Sequence, residues 1–347
     1  MAFIQVTVFD RTGEKIGEIR PYVQEVAWRR NDFGRARFTM VRTDSRATER
    51  FLRIGNRILF EFDNGLPNWG GVIEVPREWP GGARRNQIDL TAYSGEFLLY
   101  LRQTDRGRYF TGATVGNIAQ KLVEEANAIR DTGLTVGEIW AGGSTHGPDY
   151  HYKNLYQIFT QSLFSRLSTA DFEVVPSVVA GKIVFTLNVY ERKGSDKPGV
   201  ALHEGMNVDA DGLSLSEQGP IWNNVTAVGN GQDWSEERLT ANSLNQDSID
   251  KYDLRETAVI ANGVTSPITL QARADTEVAN SAQPHNFFTI MALNQAPGQF
   301  KEYDIGDVVT AELPSYGFGG FRGNVKILGR TFFPLTGTCD LATREEV

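Results

Sequence analysis

The chain has 347 residues, of which 40% are hydrophobic and 22% charged. This composition excludes a disordered chain and fits two to three domains of roughly 150 residues each. The formal net charge of −8 is unevenly placed: residues 1–110 contain 18 Lys and Arg against 14 Asp and Glu, whereas residues 111–347 contain 17 against 29. This balance argues against a protein that binds nucleic acid through its overall charge, although the N-terminal part could meet an acidic neighbour.

The single cysteine, Cys339, excludes an internal disulfide and is predicted to be a small core residue on a strand. The first residues lack the basic region and long apolar run of a signal peptide, and no stretch has the length and apolar character of a membrane span. We therefore expect a protein made in a cytoplasm, with no membrane-spanning segment.

Residues 1–104 show the alternation of apolar and polar residues that is typical of short strands. The dipeptide Asn64-Gly65 predicts a hairpin with a type I′ turn, in which both central residues have positive φ. Strands at this spacing indicate a β-barrel or sandwich. They are predicted at 3–9, 16–19, 26–30, 36–40, 57–62, 69–75 and 87–93.

Residues 105–204 predict a small α+β module. Apolar residues at helical spacing indicate a helix over 114–126, with Thr111 or Thr114 as its N-cap. Asn154 is placed to cap a second helix. Strands are predicted at 172–175 and 183–189.

Residues 205–347 return to β structure and contain one predicted helix at about 266–282, with Pro267 in its first turn. The stretch 216–256 is predicted to connect packed modules, with a strand ending at Gly229-Asn230-Gly231 and a helix capped by Asp247 or Ser248. Further strands are predicted at 213–217, 287–293, 307–313, 323–330 and 339–344.

Candidate chemistry is sparse. His146 and His151 lack the spacing of a metal-binding helix, and Asp209-Ala210-Asp211-Gly212 lacks the rest of a calcium loop. Three carboxylates could hide a glycosidase pair, but nothing distinguishes them from solvated charges. These carboxylates are Glu173, Glu191 and Asp196. We therefore predict no catalytic residue, no cofactor site and no metal site.

An aromatic, glycine-rich loop at 316–321 contains Tyr316, Phe318 and Phe321. Exposed aromatic side chains on a loop are costly unless another surface covers them. Two interpretations stay open: the loop folds back on its own β-sheet, or it docks onto another subunit or a neighbouring protein.

The order of several segments resembles one known family. A strand of the form N-x-V-x-x-x-G at Asn223–Gly229 is followed by D-S-I-x-x-Y at Asp247–Tyr252 and then by Arg255-Glu256 and Tyr303–Asp307. The chain resembles the tail-hub, or baseplate-hub, proteins of long-tailed bacteriophages and related contractile injection machines. The resemblance spans most of the chain and is strongest over about 213–345. The W-x-G-x-I pattern that starts at Trp69 is similar to the first tube-type domain of that family.

The resemblance implies a mainly β protein with an α+β insert: two similar tube-type β domains, 1–104 and 205–347, and an α+β outer domain, 105–204. It implies a homotrimer in the virion at the tail tip, assembled in the cytoplasm of a bacterial host. The tail tube or a distal tail protein would lie above it, and tail-tip, fibre or spike proteins below. Tape-measure protein and DNA would pass through its lumen without specific binding.

The function expected from this resemblance is structural and not enzymatic. The hub would close the six-fold tube or adapt it to the tail tip. The alternatives are a tail-tip adhesin or carbohydrate-binding module, and a cell-wall hydrolase. The candidate subunit-interface residues are Asn64, Gly65, Tyr316, Phe318 and Phe321.

Overall fold

A computed structural model describes residues 3–105, 107–229, 238–261, 264, 267–316 and 319–346. Strands account for 48% of the chain and helices for 18%, which confirms the predicted mainly β fold. The chain divides into two compact units, which we call the large unit, residues 1–214 and 288–347, and the small unit, residues 215–287.

The helices and strands lie in three successive parts of the chain. The N-terminal part contains β1 Ile4–Phe9, β2 Lys15–Ile19, β3 Tyr22–Arg29, β4 Arg35–Val41, α1 Glu49–Leu52, β5 Arg57–Phe62, β6 Trp69–Glu78, β7 Gln87–Ser94 and α2 Phe97–Tyr100. The middle part contains β8 Arg108–Tyr109, α3 Val115–Ile129, β9 Leu134–Ile139, β10 Asp149–Tyr150, α4 Leu155–Ile158 with a π-helical continuation Phe159–Leu167, β11 Asp171–Val179, β12 Lys182–Tyr190 and β13 Asp196–His203. The C-terminal part contains β14 Val208–Gln218, β15 Asn224–Val228, β16 Thr240–Leu244, α5 Gln246–Tyr252, β17 Glu256–Ile260, α6 Pro267–Ser281, β18 His285–Leu293, β19 Val308–Leu313, β20 Phe321–Phe333 and β21 Thr338–Glu345.

One long sheet runs through the large unit. Its strand order is β14-β18-β21-β20-β3-β4-β7-β6-β5-β1-β2, and β19 also pairs with β20 while β13 pairs with β19. Strand β20 pairs with β3 on one side, where Arg330 lies opposite Trp28, and with β21 on the other, where it lies opposite Leu341. N-terminal and C-terminal strands therefore share a single hydrogen-bonded sheet.

The N-terminal strands bury one face in their own core. In β4, Ala36, Phe38 and Met40 are buried and Arg37 points outward, as the alternation predicts. The indole nitrogen of Trp69, a fully buried side chain, donates to the carbonyl of Ala27 at 2.9 Å. This core gathers apolar side chains from all of β1 to β7, including Val8, Phe60, Ile73 and Leu90.

Glycine is required in the W-x-G-x-I pattern for space. A Cβ on Gly71 would lie 2.5 Å from the Trp69 ring and 2.3 Å from the carbonyl oxygen of Tyr93, far closer than real contacts allow. The Trp69 ring and the neighbouring strand therefore leave room only for a hydrogen at this position.

The middle part is an α+β layer packed on the other face of β1, β5 and β6, which confirms the predicted α+β insert. Strands β11-β12-β9 form a three-stranded sheet, and α3 begins at the predicted cap, where Thr114 Oγ accepts from the Asn117 amide. The shared core joins Ile118 and Phe185 of this layer to Leu59 of β5. Strand β5 is consequently buried on both faces, which explains its continuous run of apolar residues.

The small unit has a core of its own. Strands β16-β15-β17 form a three-stranded sheet, with β17 parallel and β16 antiparallel to β15, and helix α6 packs on it through Leu270 and Ala274. The prediction that 216–256 is a connector was wrong, because the whole range falls within this unit. The helix predicted at 266–282 is present as α6, and Ser266, Gly231 and Asn230 lie outside the described residues.

The predicted cap of helix α5 was also wrong. Asn245, not Asp247 or Ser248, is the N-cap, and its side chain accepts from the Ser248 amide at 2.9 Å. The Ser248 hydroxyl is buried and donates to the carbonyl of Ala282. A serine in the first turn of the helix thus holds the end of α6 against α5.

Asp253, which follows α5, has φ 62° and ψ 169°, a conformation that is almost restricted to glycine. The side chain of the fully buried Asn223 holds it there. Its Nδ2 donates to the Asp253 backbone carbonyl at 2.8 Å, and its Oδ1 accepts from the Arg255 backbone amide at 2.7 Å. Backbone strain is therefore stored at this turn.

Arg330→Ala tests the line where β20 meets β3. The Arg330 side chain is fully buried, donates to the Phe300 carbonyl at 2.8 Å and pairs with Asp304 at 3.3 Å. Its loss leaves a cavity and an unpaired carbonyl, so we expect about 3 kcal/mol less stability in urea unfolding. Arg322→Ala, on the same strand, removes a side chain that is 83% exposed and should cost less than about 1 kcal/mol. Equal costs would contradict the role given to Arg330.

Asp253→Gly tests the strained turn. Glycine adopts this conformation without strain, so opening of β15 and β17 should become harder by about 1 kcal/mol, measured by amide hydrogen exchange. The matched change Asp250→Gly lies inside α5, where glycine is unfavourable and where Asp250 accepts a hydrogen bond from Gln246, so it should lower the same opening energy by about 0.5 kcal/mol. The two changes are expected to have opposite signs.

Candidate assembly surfaces

The loop 63–68 joins β5 to β6, so the predicted hairpin is present, but its type I′ turn is wrong. Gly65 has φ +88°, whereas Asn64 is not in the left-handed region. The Asn64 carbonyl accepts from the Asn294 side chain at 2.9 Å, and a Cβ on Gly65 would lie 2.7 Å from the Cβ of Lys301. Contacts with the C-terminal segment of the same unit therefore set the shape of this loop.

The loop after β19 also contacts its own chain. The Tyr316 hydroxyl donates to the Leu213 carbonyl at 2.7 Å, and the Phe321 ring lies 4.5 Å from that of Phe288. Both side chains are half-buried, and Phe318 lies outside the described residues. These contacts favour a loop that folds back on its own sheet, and its role in a subunit interface stays a prediction.

Sequence reasoning missed an exposed apolar surface in the middle part. Tyr100, Leu101, Ile129 and Tyr152 are each at least 50% exposed and line one groove of about 470 Å³. Tyr152 also has φ 48°, unusual for a bulky residue. The adjacent Tyr100-Leu101 pair at the end of α2 was the only local signal. We call these four residues the tyrosine groove.

The His146–His151 segment is a loop that contains the short strand β10. The His151 Nδ1 accepts from the Gly107 amide at 3.0 Å, so its Nε2 carries the proton and donates to Asp149 at 2.7 Å. Across the described parts of the chain, no three His, Cys, Asp or Glu side chains are grouped as metal ligands. In those same parts no helix is both long and apolar enough to cross a membrane.

Two of the three carboxylates considered for catalysis form ion pairs. Glu173 pairs with Lys193 and accepts from the Tyr190 hydroxyl at 2.8 Å, and Asp196 pairs with Arg192 at 2.8 Å. Glu191 is exposed. Cys339 is fully buried on β21, and burial raises the pKa of its thiol to about 11.

A buried carboxyl joins the N-terminal strands to the α+β layer. Glu96 accepts from the Val174 amide of β11 at 2.9 Å and from the Ser94 hydroxyl, whose oxygen in turn accepts from the Gly34 amide. Burial raises the pKa of Glu96 above its ordinary value of 4.5, and these hydrogen bonds oppose the rise only in part. The site therefore disfavours the charged carboxylate relative to water.

Glu96→Gln tests this carboxyl through pH dependence. A raised pKa in the folded state means that the stability contributed by Glu96 is complete below pH 4.5 and is lost as pH rises through the folded pKa. The neutral amide does not titrate. The free energy of unfolding of the variant, measured in urea, should therefore increase relative to that of the native protein as pH rises.

Glu18→Gln is the control, with the opposite sign. The hydrogen bond from Lys15 lowers the pKa of the exposed Glu18, so its contribution is present above pH 4.5 and is lost as pH falls. The Glu18 variant should therefore be less stable to unfolding than the native protein only at higher pH. Parallel curves for the Glu96 variant and the native protein would contradict the assignment.

No protein-family model matches the sequence, and no curated protein matches it. Solved structures do. The chain is similar to the prophage tail protein gp18 of Listeria monocytogenes (TM-score 0.62, 14% identity, 99% of this chain and 94% of that one). It is also similar to the 43 kDa tail protein of prophage MuSo2 from Shewanella oneidensis, with a TM-score of 0.64, 12% identity, and coverage of 98% of each chain. A tail protein of Neisseria meningitidis gives a TM-score of 0.63 and 13% identity, over 99% of this chain and 96% of that one. The predicted resemblance is confirmed at the level of the fold: this chain has, over nearly its whole length, the fold of phage tail proteins.

Proposed function

We propose that the protein is a structural component of a phage-type tail and forms a trimeric hub at the distal end of the tail tube. One observation carries the proposal: the likeness to three tail proteins covers 98–99% of this chain and 94–98% of each of theirs. A shared fold over the whole length supports a shared assembly role more than a likeness confined to one domain would.

The two sets of strands that pair at β3 and β20 support the proposal of a trimer. In the proposal, 1–104 and 205–347 are tube-type domains and 105–204 is the outer domain, so three chains offer six units to a six-fold tube. Within the described residues, β13 pairs only with β19, and β14 ends the long sheet. Such edges carry unpaired backbone groups that a neighbouring chain can satisfy.

The partners follow from that position. The tail tube or a distal tail protein would lie above the hub, and tail-tip, fibre or spike proteins below. Tape-measure protein and DNA would pass through the lumen, and the net charge of −8 supports passage without binding, because like charges repel. The proposed place of the protein is the virion tail tip, after assembly in the host cytoplasm, and the proposed role involves no catalysis.

The tyrosine groove supports a second candidate function, a tail-tip adhesin that binds carbohydrate. Two exposed tyrosines beside a concave surface offer flat apolar faces with hydroxyl groups at their edges. A glycan array with the native protein and with Tyr100→Ser distinguishes the two candidates, because the hub requires no glycan binding.

Native mass spectrometry tests the hub. We expect a species at three times the 38.6 kDa chain mass, promoted by tube protein if ring closure needs a template. Amide exchange of the trimer should show new protection at 63–68 and 314–321, with the exposed β11–β12 turn at Ala180–Gly181 unchanged as the internal control. A monomer at every concentration, with and without tube protein, would reject the trimer. Clearing of peptidoglycan in a zymogram would instead favour a cell-wall hydrolase.

A further inference from the structure

A second groove lies on the outward face of the N-terminal strands. In β4 the buried side chains alternate with Arg37 and Val41, which point away from the core. With Tyr22 at the start of β3 and Arg20 two residues before it, they line a groove of about 710 Å³. We call these four residues the arginine groove.

The cations of this groove are not all neutralised. The nearby Arg84 lies 2.6 Å from both carboxylate oxygens of Asp89. Arg20 and Arg37, both exposed, have no carboxylate partner among the residues that the structure describes. Guanidinium groups bind carboxylates and phosphates through paired hydrogen bonds, so two unpaired ones in a concave surface indicate an anionic partner.

Apolar side chains in the same groove narrow the class of partner. Tyr22 is 54% exposed and Val41 is 50% exposed. Aromatic side chains and arginine are the residues enriched at the centres of protein interfaces. The carboxylate of Asp44 also lines the groove, and it repels peptide carboxylates and phosphates alike, so the apolar side chains decide between the two classes. The mixture therefore favours a protein over a nucleic acid.

We propose that the arginine groove binds an acidic protein segment, whose carboxylates pair with Arg20 and Arg37 and whose apolar side chains cover Tyr22 and Val41. Charge complementarity identifies the occupant, since the groove offers two free cations beside exposed apolar side chains. The inference goes beyond the hub function, because the groove would bind such a segment whether or not the chain forms a trimer.

Fluorescence anisotropy with the full-length protein tests the proposal. The probes are a labelled peptide with tyrosines spaced among glutamates, a peptide of equal charge with serines in place of the tyrosines, and single-stranded DNA of similar length. We expect the tyrosine peptide to bind about 10-fold more tightly than the serine peptide, because only the former covers Tyr22 and Val41. DNA is expected to bind more weakly than the tyrosine peptide.

Variants assign the binding to the groove. The double change Arg20→Glu with Arg37→Glu should weaken binding of the tyrosine peptide about 10-fold or more, because both charge pairs are lost. The control double change Arg50→Glu with Arg53→Glu alters two exposed arginines around α1, outside the groove, by the same charge and should change binding less than about 2-fold. Tyr22→Ser, which alters no charge, should weaken binding of the tyrosine peptide and leave binding of the serine peptide unchanged.

Several outcomes would overturn the proposal. These are no binding of either peptide, equal binding of both peptides, equal effects of the two arginine pairs, and DNA binding as tight as binding of the tyrosine peptide. Self-association that the arginine-groove variant abolishes, without peptide binding, would assign the groove to a second copy of the chain and would also overturn it. A monomeric native protein that still binds the tyrosine peptide would reject the trimer and leave the groove assignment standing.

Discussion

Strand β3 pairs with β20 through residues from opposite ends of the chain, Ala27 with Thr331 and Trp28 with Arg330. Arg330 is buried at this line, with its guanidinium on the Phe300 carbonyl, and Arg29 crosses it to donate to the Arg330 carbonyl. Neither set of strands satisfies its backbone hydrogen bonds here without the other. The N-terminal and C-terminal parts of the large unit therefore depend on one shared line of pairing.

A second constraint is the packing of the α+β layer on the N-terminal strands. Gly70 and Gly95 allow it: a Cβ on Gly70 would lie 2.4 Å from Pro176, and one on Gly95 would lie 2.6 Å from Val174. Glu96 lies beside Gly95 and ties the two layers by a hydrogen bond to Val174. The N-terminal strands are thus covered by their own core on one face and, at β1, β5 and β6, by the α+β layer on the other. The outward side chains of β4 and those of the tyrosine groove stay exposed.

The candidate interface loops and these surfaces differ in how visible they are in the sequence. Asn64-Gly65 and the aromatic loop were found from turn chemistry and composition, yet Asn64, Tyr316 and Phe321 use their described contacts within the chain. The arginine groove was hinted at only by the excess of basic residues in 1–110. Its members come from β4, from the start of β3 and from the residues just before it, so only strand pairing brings them together.

The sequence alone determined those elements whose cause is local. Alternation placed Phe38 and Met40 in the core of β4, and the caps Thr114 and Asn154 fixed two helix starts, because each depends on neighbouring residues only. Tertiary structure decided the rest. Asn64 avoids positive φ because a distant segment shapes its loop, and the small unit forms because α6 returns to cover β15. The pairing of β3 with β20 leaves no periodic trace in the sequence, since hydrogen bonds between distant strands use backbone groups that every residue carries.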